Sequence, residues 1–150
     1  MHSTIIEISK TPMERDEYMS EGCFCPEEYA RFADYIQNVK KERENDTLKW
    51  IDTLQVFDRK GRELSLRPLD GFIDDWKMEI VKKAKSLDMT DWMSYYNMKA
   101  LLRKTHLDCD TMICMNGEKF WEFGYFIQHL YENHKPGDKF YIGGILDYHF

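Results

Sequence analysis

Proline and cysteine are scarce, with four of each in 150 residues. No apolar run approaches the ~20 residues that a membrane-crossing helix needs. The opening stretch Met1 to Glu7 meets a charge within a few positions, so it lacks the apolar centre of a secretion signal. With no signal and few cysteines, the expectation is a cytoplasmic protein with reduced thiols rather than a disulfide framework. No internal repeat and no Gly/Ser/Pro-rich linker divides the chain. Gly61, Gly71 and Gly117 read as turns, and the pair Gly143-Gly144 has no following helix or lysine. Neither a phosphate loop nor a dinucleotide fingerprint is present, and no cofactor is expected. Basic charge is also short. The 21 Lys and Arg against 27 Asp and Glu leave a net charge of −6 and a pI near 5.4. That balance excludes a broad nucleic-acid or anionic-membrane footprint.

Apolar residues are plentiful at 43%, and aromatics reach 15%. That supply predicts one domain over residues 1–150 with a substantial core. The charge is uneven along the chain. Up to Asp75 there are 17 acids against 11 bases, and from Trp76 onward 10 against 10. Acids crowd the segment from Glu14 to Asp34, and lysines crowd Lys77 to Lys85. Solvated helix faces account for both. A sharper reading is an acidic patch that meets a basic partner.

Local patterns predict an α+β fold, with about five helices and a small, mainly antiparallel sheet. Thr4, Ile5, Ile6 and Ile8 mark an N-terminal strand. Thr11-Pro12-Met13-Glu14 has the form of a capping box opening a short helix. Pro26-Glu27-Glu28 opens another, with Tyr29, Phe32, Ala33, Ile36 and Val39 at helical spacing. Leu48, Ile51 and Leu54 fit a third helix. Phe72, Trp76, Ile80, Ala84 and Leu87 define a fourth, and Asp88 or Thr90 caps a fifth that ends at Arg103-Lys104. Asn116-Gly117 is a hairpin signal after the strand Thr111 to Met115. Glu118 to Phe123 fits either a returning strand or a helix start. Phe126, Ile127, Leu130 and Tyr131 are helical. Lys139 to Ile142 and Ile145 to His149 read as a C-terminal hairpin around Gly143-Gly144.

Few residues offer chemistry. Cys23, Cys25, Cys109 and Cys114 supply four thiols, but Cys-x-Cys is tighter than the usual zinc knuckle, and Cys114 sits in an apolar strand. No metal is expected. His129 and Glu132 lie three apart and share a helix face, while His134 falls about 140° from His129 around the axis. Asp147 and His149 share a face if their segment is a strand, and an Asp orienting a His is half of a hydrolytic triad. No residue sits in a recognisable nucleophile context. Nine methionines are many for this length. Methionine fills core gaps and also lines adaptable binding surfaces. Met98 and the aromatic Tyr141 and Tyr148 are candidate contact residues.

The expected function is therefore a protein-binding or regulatory module with a protein partner. One alternative is a small hydrolase-like enzyme using His149 with Asp147 or His129 with Glu132. A second is an acidic inhibitor of a basic, nucleic-acid-binding partner.

Overall fold

The computed structural model describes residues 2–30, 33–105, 110–117 and 119–149. The chain is α+β. Its strands are β1 (His2–Ser9), β2 (Tyr35–Asn38), β3 (Phe57–Lys60), β4 (Glu63–Leu66), β5 (Met112–Met115), β6 (Lys119–Glu122) and β7 (Lys139–His149). The helices are a single turn, α1 (Pro26–Tyr29), and then α2 (Lys41–Thr53), α3 (Asp70–Ser86), α4 (Met89–Met93), α5 (Tyr95–Thr105) and α6 (Phe123–Asn133). No helix among the described residues is long and apolar enough to cross a membrane.

The sheet corrects the expectation of a small one. Among the described residues it has seven strands, in the order β3-β4-β7-β1-β5-β6 with β2 also pairing to β7. All pairs are antiparallel except β1 with β5. The expected C-terminal hairpin is also absent, because residues 139–149 form one continuous strand. β4 pairs with its first three residues and β2 with its last four. Gly143-Gly144 does not turn, because a different constraint selects glycine there. A Cβ on Gly143 would lie 2.1 Å from the Glu7 carboxylate, and one on Gly144 would lie 2.0 Å from the Met19 carbonyl oxygen. The pair lets the 11–24 segment press against the sheet.

Ile36 shows a second departure. It reads as part of a helical stripe, yet it lies in β2 opposite Tyr148 and packs with Ile5, Leu146 and Tyr148. Burial on that face outweighs the weak helical pattern. The turn at Asn116-Gly117 forms as expected, with φ of 54° and 71° at its two residues. It joins β5 to β6, so Lys119–Glu122 is strand and the helix starts at Phe123.

Both sheet faces are covered. On one, Ile6, Ile8, Ile113, Phe140 and Ile142 pack against α6 through Phe126, Ile127 and Leu130, and against α2 through Ile51. On the other, Ile5, Cys114, Leu146 and Tyr148 pack against Met19, Ala33 and Ile36. The helices α3 to α5 stand apart. Among the described residues, α3 packs on the main core through its first turn, at Phe72 and Ile73, and it buries none of its 17 residues fully.

Candidate functional site

β7 brings Asp147 and His149 to one face at the end of the sheet, but they do not bond to each other. Asp147 Oδ2 accepts from His2 Nδ1 at 2.9 Å and from Gln37 Nε2 at 3.0 Å. Its other oxygen ion-pairs with Arg43 of α2 at 2.7 Å. His149 Nδ1 instead meets Asp34 Oδ2 at 3.0 Å and stacks its ring on Tyr35. The rings of His2 and His149 lie edge to face with centroids 5.0 Å apart. Two Asp–His pairs therefore stand side by side where β1, β2 and β7 meet. His2 and Asp34 carry no sequence signal, because they come together only through strand pairing across 145 and 115 residues of chain.

His129 and Glu132 of α6 also take separate partners. Glu132 accepts from Gln128, and His129 contacts Asn133. The ring of His129 lies between Trp121, 5.0 Å away, and His134, 5.3 Å away. Burial, and then the neighbouring His134, hold His129 below the usual histidine range. His134 comes close because α6 ends at Asn133. His134 is in extended backbone, so the angle of a continuing helix does not apply to it. Its Nδ1 lies 3.2 Å from Asp138.

A third polar centre is the buried Glu7. Its Oε2 accepts from the backbone N–H of Met19 at 2.8 Å and of Gly144 at 2.7 Å. The adjoining cleft of about 640 Å³ is lined by Arg15, Tyr18, Lys41, Glu44 and Arg62. Arg62 is already committed there to Glu44, the Gly143 carbonyl and the Tyr18 ring.

The cysteines are dispersed. Cys23 and Cys25 are exposed, Cys114 is buried in β5, and Cys109 lies outside the described residues. Among the described residues, no three His, Cys, Asp or Glu side chains are arranged to hold a metal ion. Burial, aided by the nearby Glu7 carboxylate, pushes the Cys114 thiol up to about 11. An unfolded cysteine ionises near 8.5, so its stabilising effect is complete below that pH and is lost as pH rises toward 11. The loss is about 3 kcal/mol by proton linkage. Urea melts across this window should show a steeper alkaline decline in the wild type than in Cys114→Ala. Parallel declines would contradict a buried neutral thiol.

The candidate contact residues are placed differently. Tyr148 is buried and donates to the Asp110 carbonyl, while Tyr141 and Met98 are half-buried. The prominent exposed apolar surface lies elsewhere. Met89, Trp92, Met93, Tyr95 and Tyr96 are between 44% and 83% exposed within eight consecutive residues. They form the tip where α4 turns into α5. Asp88 and Asp91 cap α4 reciprocally, and Asn97 donates to Asp91 at 2.6 Å, which fixes the bend. The fifth helix expected from Asp88 or Thr90 to Arg103-Lys104 is broken into α4 and α5, and that bend is what presents these side chains.

No protein-family model, curated protein or solved structure matches this chain.

Proposed function

We propose that this chain is a protein-binding module and that the α4–α5 tip is its contact surface. The observation that carries the reading is the density of exposed large apolar side chains at residues 89–96. Single exposed hydrophobics are ordinary, whereas a contiguous patch of aromatic and Met side chains marks an interaction surface. The tip residues add little to the core. α5 contacts both α3 and α4, and none of the tip side chains belongs to a core cluster. The Asp88–Asp91–Asn97 bonds hold the tip in shape without a partner, which limits the ordering cost of binding.

A peptide-library selection tests this. Peptides enriched on the wild-type protein should lose binding by about tenfold or more on Met93→Glu/Tyr96→Glu, as expected when central aromatic contacts are removed. The same variant should melt within about 0.5 kcal/mol of wild type, because exposed substitutions away from structural features rarely do more. Equal binding to both proteins, or unfolding of the variant, would overturn the reading.

A further inference from the structure

We infer that the cleft between the 11–24 segment and α2 binds a small organic anion that carries phosphate or carboxylate groups. The cleft shares no residue with the α4–α5 tip, so the inference does not depend on the protein-binding reading. Its volume of about 640 Å³ is that of a small-molecule site. Such sites run from roughly 300 to 1,000 Å³. Its charge is the reverse of the chain's. The whole sequence holds 27 acids and 21 bases, whereas the lining holds Arg15, Lys41 and Arg62 against Glu44 alone. The acids that surround Arg15 in sequence do not line the cleft. Two of them have backbone partners: Glu17 accepts from the Glu14 N–H and Glu21 from the Asn38 N–H.

The three cations divide into two roles. Arg62 is fixed by Glu44, by the Gly143 carbonyl and by the Tyr18 ring, whose centroid lies 4.8 Å from its guanidinium carbon. It supplies positive charge at a set position, offset by Glu44. Arg15 and Lys41 are exposed, and among the described residues neither side chain makes a hydrogen bond or an ion pair. They come from two different elements and bring uncompensated charge to one concavity, where a cleft focuses the field. Asn38 adds a neutral donor. Its Oδ1 accepts from the Glu21 N–H at 3.0 Å, which leaves its amide nitrogen to donate. Val39, Leu48 and Ile145 give the lining apolar surface for the body of the ligand. The net charge of −6 outside this spot repels a long polyanion, so the site selects a small one.

Amide NMR titrations of the intact protein at constant ionic strength test the inference. Phenyl phosphate, phthalate and benzyl alcohol share a ring and differ in charge. At least one of the two anions should bind more tightly than about 10 mM and shift amides of Tyr18, Lys41 and Gly144. Whichever anion binds better distinguishes a phosphate ligand from a carboxylate one. Benzyl alcohol should bind at least about tenfold more weakly. Arg15→Gln/Lys41→Gln should weaken the anion by about tenfold or more, as expected when charge-assisted hydrogen bonds are lost. Lys41→Gln alone serves if the pair fails to fold. Glu44→Gln should tighten binding, because it removes the single acid of the lining. The inference falls if neither anion binds within about 10 mM, or if benzyl alcohol binds as well as the anions. It falls equally if the Gln variants bind like the wild type, or if Glu44→Gln binds more weakly than it.

Discussion

Gly144→Ala should be the most damaging single-methyl substitution in this protein, costing about 3 kcal/mol or more. Its Cβ would lie 2.0 Å from the Met19 carbonyl oxygen and 2.8 Å from the Met19 carbonyl carbon. Both are backbone atoms, so no rotamer change relieves the clash. The two strands of chain cannot part cheaply either. Glu7 bridges the N–H groups of Met19 and Gly144 with a single carboxylate oxygen. Separating them breaks a charge-assisted bond and leaves a buried carboxylate short of donors. Gly143→Ala meets side chains rather than backbone, but its nearest atom is the Glu7 oxygen that makes both bonds, so its cost should approach that of Gly144→Ala. Gly71→Ala is the control. Nothing lies within 4 Å of its Cβ, and the residue is helical. Replacing glycine with alanine there should be neutral or mildly stabilising, by up to about 1 kcal/mol. Denaturant melts rank the three, and hydrogen exchange over residues 11–24 locates the damage. Gly144→Ala within about 1 kcal/mol of wild type would mean that the latch is not rigid.

The same glycine pair marks the limit of what could be read from the chain. Adjacent glycines between two apolar runs have the form of a turn. The reason for them here is a loop and a carboxylate more than a hundred residues away, which no local pattern encodes. The local signals that succeeded were those with a local cause. Asn116-Gly117 accepts positive φ, and Asp88 caps the backbone three residues on. The stripe from Phe72 to Leu87 predicted α3 correctly. It did not reveal that α3 buries none of its 17 residues fully, because periodicity reports a helix and not what lies across from it. Ile36 failed for the opposite reason: its partners Leu146 and Tyr148 arrive from the far end of the chain and draw it into strand. The candidate Asp147 and His149 were placed on one face correctly as a strand pair. Their actual partners, His2, Arg43 and Asp34, depended on a strand order that the sequence did not disclose.

Asp147→Ala should be nearly as costly as Gly144→Ala, at about 2–4 kcal/mol. Asp147 is only 4% exposed and ties three elements together, accepting from His2 of β1 and Gln37 of β2 and ion-pairing with Arg43 of α2. Removing a buried carboxylate strands its partners. The penalty stays below that of a fully buried pair because the Arg43 side chain is 40% exposed and can turn to water. Asp147→Asn should cost less, since an amide oxygen still accepts from Gln37 and His2 while the ion pair is lost. A cycle with Arg43→Met isolates that ion pair, and contacting residues couple by about 0.5–3 kcal/mol. The neighbouring pair supplies the contrast. Asp34 and His149 make a bond of similar length, but the Asp34 side chain is 73% exposed. Water replaces what it loses, so Asp34→Ala should change stability by no more than about 1 kcal/mol. Two Asp–His pairs of like geometry would then differ in stability effect through the burial of Asp147 and its added partners Gln37 and Arg43. If urea melts give equal losses for Asp147→Ala and Asp34→Ala, neither burial nor the added partners separate them, and Asp147 does not hold β1, β2 and α2 together.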